Sequence, residues 1–306
     1  MRRNNRVAAA PAALLLLALA GPAMAQPVPD PGIDQRVRAF GRTGQTASEA
    51  EEEALLTGRD DILLMRQRRF FTIAASAGGG YTDNAGLSPT MRQADGYFSG
   101  DASLRIATQL GGLVDVYAEA GVSTTRYFQQ TGLDLVAVFG AVGAHVAVKG
   151  FDLDVGYTPN MVWDGDLETR QLTQHRFVAS VGRGFRVGRG LVRATIGGER
   201  IEANPSAFQN FAATAGVSGV VPVAPGVAVI GSVRGVRRWY DNYFEGLLGV
   251  ERRDWFLEGA AGLSWRLHRN VSLDARLTYA KNWSTADISR YEAANGAAIV
   301  RVAFEF

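Results

Sequence analysis

Many of the charged side chains in the alternating segments of this chain share one parity. The polar parity carries Asp101, Arg105, Asp115, Glu119, Asp152 and Asp154 in the first half, then Arg176, Arg193, Arg234, Arg238, Arg266 and Arg276 in the second. His145, Arg186, Glu199, Glu258, Asp274, Arg301 and Glu305 share it. Acids dominate the first group and arginines the second. Two such walls facing each other across water set up a transverse field that orients dipolar or charged solutes and discriminates between ions. If they pair with one another instead, they fill a narrow interior and leave little open path.

Other residue types with chemical potential are sparse. The three histidines, His145, His175 and His268, are scattered, and general acid–base work needs groups within hydrogen-bond reach. His175 with Asp164 and Asp166 is the one candidate for a hydrolytic rim site; an ordinary polar loop base is the plainer reading, and no catalytic residue is assigned. Asp164-Gly165-Asp166 with Glu168 offers oxygen ligands but lacks the twelve-residue calcium-loop pattern, so no metal site is assigned. Gly78-Gly79-Gly80 precedes no helix and does not read as a phosphate-cradling loop. The Gly/Arg stretch from Gly182 to Arg189 reads as a strand end with interfacial arginines. No cofactor is implied.

The ends say where these residues work. Arg2, Arg3 and Arg6 precede an apolar stretch from Val7 to Ala20, followed by Gly21-Pro22-Ala23-Met24-Ala25. That is the pattern of a secretory signal peptide with cleavage after Ala25, too short to span a bilayer well. Its three arginines account for more than the formal charge of +2, so the mature chain carries 2 − 3 = −1. A near-neutral chain has no bulk charge for nucleic acid, and that class is excluded. With no cysteine, disulfides, thiolate metal sites and cysteine nucleophiles are excluded too.

Three parts follow: a signal peptide (1–25), a periplasmic linker with a short helix (26–69), and a β-domain (70–306). Residues 26–46 are rich in Pro, Gly and polar residues; Ser48 and Glu51 make a capping box that opens a helix over 47–56. A lead-in on the periplasmic side is the simple reading of this part, and a plug folded into the β-domain is the alternative. From Phe70 onward, long alternating segments predict twelve strands near 70–82, 96–110, 113–127, 133–148, 151–163, 171–186, 191–203, 210–223, 227–240, 253–267, 271–284 and 295–306. Tight turns such as Lys149-Gly150 and Gly188-Arg189-Gly190 alternate with longer connections, as at the two rims of a transmembrane barrel. Aromatics near the strand ends, among them Trp163, Trp239, Tyr240, Trp255, Trp265 and Trp283, predict two interfacial girdles. The fold class is therefore all-β, an up-and-down antiparallel transmembrane β-barrel with a short helical leader.

The ending Ile299-Val300-Arg301-Val302-Ala303-Phe304-Glu305-Phe306 resembles the C-terminal signal of bacterial outer-membrane β-barrel proteins. That resemblance implies that the barrel-assembly machinery reads Phe304 and Phe306. Gly80-Tyr81-Thr82-Asp83-Asn84 is similar to a Gly-Tyr-x-x-Asn motif in the first strand of a set of proteobacterial barrels. The expectation is a Gram-negative outer-membrane barrel with both termini in the periplasm, surrounded by membrane lipid and lipopolysaccharide. Its function is expected to be passive conduction of small polar or charged solutes. The alternatives are a non-conducting accessory barrel of an export or surface-assembly system, meeting a periplasmic partner through residues 26–69, and a rim hydrolase.

Overall fold

A computed structural model describes residues 33, 36, 37, 70–111, 114–241 and 251–306. The expected helix over 47–56 lies outside the described residues. Twelve antiparallel strands close into a barrel in which each pairs with its sequence neighbours and the first with the last. They are β1 (Phe71–Thr82), β2 (Asp95–Leu110), β3 (Val114–Tyr127), β4 (Leu135–Val148), β5 (Phe151–Asp164), β6 (Arg170–Val187), β7 (Gly190–Asn204), β8 (Asn210–Ala224), β9 (Val227–Tyr240), β10 (Arg253–His268), β11 (Val271–Ser284) and β12 (Tyr291–Glu305).

Closure leaves no open strand edge, the condition for placing β-structure in hydrocarbon. At the seam Phe71 and Phe306 exchange backbone hydrogen bonds, and their rings lie 6.1 Å apart. One rim carries only tight turns among the described residues, with Gly111, Gly150, Gly188 and Gly226 at positive φ. Lys149 and Gly150 are both left-handed, as a type I′ hairpin turn demands. The opposite rim carries the longer connections, three of them containing a single 3-10 turn.

Strand alternation sorts side chains to the two faces. Outward lie Leu104, Val122, Val155, Ile196, Val233, Leu263 and Leu277, all exposed. A continuous apolar exterior of this kind is the surface that hydrocarbon, not water, covers. Phe151, Phe185, Trp265 and Phe304 ring its turn end, and Phe98, Phe211, Trp239, Trp255 and Trp283 its loop end. Trp239 stacks on Phe211, and the guanidinium of Arg237 sits over both Trp239 and Trp255.

Two sequence expectations shift. β12 begins at Tyr291 rather than 295, because Tyr291 to Ala294, read in the sequence as the end of a connection, pair with Asn282 to Tyr279 of β11. Tyr240, expected in the outer girdle, is buried on the inner face: Trp239 beside it points outward, so Tyr240 must point in, where Arg252 covers its ring at 4.0 Å.

Candidate functional site

All twelve ionisable positions singled out in the sequence fall on the inward parity of their strands, with most of their strand neighbours apolar and on the outer face. The inner wall is therefore polar over most of its height, and its charges are organised by local pairing. Arg105 donates to Glu119 at 3.2 Å between directly paired residues of β2 and β3 and lies 4.3 Å above the Tyr117 ring. Arg176 donates through Nε to Glu199 at 2.7 Å between β6 and β7. Asp101 accepts from the Ser76 hydroxyl of β1. Arg301 of β12 approaches Asp274 of β11 at 3.9 Å.

A denser cluster lies towards the turn end. His145 of β4 is the cross-strand partner of Asp115 on one side and Asp154 on the other. Its Nε2 is 3.7 Å from Asp152, whose other oxygen is 3.1 Å from Arg193. Arg193 belongs to β7, so this pair bridges over β6, and the residue bridged is Gly182. A Cβ there would come within 2.9 Å of the Arg193 guanidinium. Sequence parity placed Arg193 and Arg176 on an arginine wall opposite the acids. The structure instead neutralises both along the wall, because residues on neighbouring strands come within side-chain reach while opposite walls are separated by the lumen.

The remaining arginines of that wall are on β9 to β11. Arg234 is exposed on the inner face and makes no ion pair or hydrogen bond with the described residues. Arg276 of β11 is half-buried, with Asp274 as its electrostatic neighbour. Arg238 lies over the Phe256 ring at 5.3 Å and opposite Asp254, and Arg266 lies near the turn end. β9 and β3 are half the circumference apart, so the exposed Arg234 looks across the lumen towards the acid-bearing strands.

Inward aromatics pack the opposite wall. Tyr97, Phe139 and Tyr117 each fold over the glycine directly across the strand pair, Gly80, Gly121 and Gly143 respectively. A Cβ at any of these glycines would collide with the ring above it. The pairing of a ring with an empty position is visible in the sequence only once the register is known.

At the loop end the inner wall changes character, which alternation did not reveal. Leu135, Val162, Leu172, Ile201, Phe208 and Tyr240 face inward and are buried in one cluster. Ile33 and Val37, from the part read as a leader, belong to the same cluster, and both are about 1 % exposed. Apart from these two and Arg36, residues 26–69 lie outside the described residues. Beside them the β1–β2 connection turns inward: Asn84 is fully buried, donates to the Ser88 and Glu292 carbonyls and accepts from the Ser88 amide. That places Ala85 against Tyr97 and Tyr127, and Leu87 against Tyr291. Asn84, noted in the sequence as the end of a first-strand motif, thus pins this connection into the mouth.

The hydrolytic candidate does not assemble. His175 is on the outer face, bonded to the Tyr157 hydroxyl at 2.6 Å and stacked on its ring. It is registered with Pro159, whereas Asp164 stands at the end of β5 and caps its own turn, accepting from the Glu168 and Thr169 amides. No group of three or more metal-ligating side chains occurs among the described residues.

No protein-family model and no curated protein matches the sequence. Solved structures do share the architecture. An outer membrane channel from Pseudomonas putida F1 matches with a TM-score of 0.49 at 10 % identity, over 78 % of this chain and 99 % of that one. The translocator domain of the autotransporter NalP from Neisseria meningitidis matches with a TM-score of 0.46 at 13 % identity, over 84 % of this chain and 97 % of that one. The anion-selective porin from Comamonas acidovorans matches with a TM-score of 0.41 at 10 % identity, over 76 % and 98 %. These neighbours are outer-membrane β-barrels, and what this chain has in common with them is the fold.

Proposed function

We propose that the chain is an outer-membrane channel for small polar or charged solutes, with a preference for anions. The observation that carries this reading is the arrangement of interior charge. Arg105–Glu119 and Arg176–Glu199 pair along the wall between neighbouring strands and Arg193–Asp152 across one strand, while Arg234 stays exposed on the inner face of β9 and Arg276 is half-buried on β11. An exposed guanidinium on the inner face raises the local concentration of anions in a water-filled lumen. The test is conductance: purified, heat-modifiable barrel is reconstituted in a planar bilayer, and the absence of discrete conductance steps would sink the reading.

In this reading both termini face the periplasm and lipopolysaccharide surrounds the loop-end girdle. Phe304 and Phe306 are read by the assembly machinery; Phe304 faces the lipid and Phe306 closes the seam with Phe71. A second reading is a non-conducting accessory barrel with a periplasmic partner bound through residues 26–69; the filling of the loop-end mouth by Ile33, Val37 and Leu87 supports its being closed and does not bear on the partner. Deleting residues 26–60 would then remove a co-purifying partner while leaving the folded barrel intact.

A further inference from the structure

The inner wall at the loop end is built to hold something apolar. A hydrated pore mouth has no use for an inward cluster of Leu135, Val162, Leu172 and Phe208, yet these side chains are buried. Their cover includes Ile33 and Val37, helical residues one turn apart on the same side of their helix, with Arg36 beside them. Arg36 is 4 % exposed and lies within electrostatic reach of Tyr127, as do Asp95 and Asp134. One helical face thus presents two aliphatic side chains to an apolar patch and a cation to an acidic corner of the same mouth. Val37 is at the loop end of the barrel and Phe71 at the turn end, so the seated residues are held inside the wall at the far mouth from where β1 begins.

We propose that this seat is an intramolecular plug: the chain's own segment bearing Ile33, Arg36 and Val37 holds the loop-end mouth shut, and solute passes only when it leaves. The proposal rests on the channel reading and adds its regulation. The seat competes with water for the patch, so a polar substitution on either partner shifts the population towards the open state in proportion to its differential cost.

The absence of cysteine from the chain makes a direct test possible. Val37→Cys in the reconstituted, folded barrel is treated with a membrane-impermeant maleimide and compared with Met91→Cys, whose position is 74 % exposed. A seat occupied about 99 % of the time slows labelling by about a hundredfold; equal rates would overturn the seat itself, whatever the barrel conducts. Ile33→Asp/Val37→Asp should raise the open probability of single channels at least about tenfold, and Leu172→Asp, on the wall side, should do the same. Heat-modifiable migration confirms that each variant is folded. Unchanged open probability in both folded variants would overturn gating. Slow labelling of the Val37→Cys variant with no conductance in wild type or variants would overturn the channel reading, and the gating role with it, while leaving the seat in place.

Discussion

Replacing Arg234 and Arg276 together with Ala should move the channel's ion preference towards cations, by an amount the structure bounds. Both are on the inward parity, of β9 and β11, and Arg234, though registered with Glu258 of β10, makes no ion pair or hydrogen bond with the described residues. Roughly 8 Å from a permeating ion in a water-like medium, a unit charge contributes about 0.5 kcal/mol. Two charges make about 1 kcal/mol, which screening at 0.1 M salt cuts by about half. An anion gains that much and a cation loses it, so the difference between them is about 1 kcal/mol, or roughly a fivefold permeability ratio. In a tenfold salt gradient, where full selectivity is about 59 mV for a monovalent ion, the reversal potential should shift by about 30 mV. At 1 M salt the screening length falls to about 3 Å and the shift should nearly vanish. The control is Arg176→Ala/Glu199→Ala, which removes a bonded pair and leaves the summed charge of the wall unchanged. An unchanged reversal potential in the Arg234/Arg276 variant, or an equal shift in the control, would refute the assignment of these two charges to the conducting path.

Four further outcomes follow from the wall. Arg176→Ala breaks a 2.7 Å charge-assisted bond to a carboxylate with 3 % exposure and should cost about 3 kcal/mol; the double replacement should recover part of that, as a denaturant double-mutant cycle in detergent would show. Gly121→Val drives a side chain into the Phe139 ring and the Ala102 carbonyl. It should destabilise the barrel by about 1–3 kcal/mol, with partial rescue by Phe139→Ala, read from unfolding midpoints. Phe306→Ala removes the ring against Phe71 and should lower the yield of heat-modifiable barrel in cells more than it lowers the stability of what does fold. His175→Ala should leave any lipid or peptide hydrolysis at background, since that side chain stacks on Tyr157 on the outer face; activity lost with His175 would revive the rim hydrolase.

Alternation alone determined the strand count, the near-complete placement of strands and the face on which each charge lies. The reason is local: a strand's side chains alternate whatever it pairs with, so Asp152 and Asp154 had to share a face opposite Leu153 and Val155. A string of residues does not contain register or distance. That Arg193 would reach past Gly182 to Asp152, and so leave the arginine wall, depends on how β5, β6 and β7 are staggered. That Tyr240 would turn inward, that Tyr97, Phe139 and Tyr117 would find glycines beneath them, and that Leu135, Val162, Leu172 and Phe208 would meet at one mouth depends on closure of the ring. The seat of Ile33 and Val37 lies furthest from the sequence. Its helical spacing is short and ordinary, and its partners are brought together from strands about a hundred residues or more away. Only the closed barrel turns those separate inward apolar residues into one surface that a passing helix can occupy.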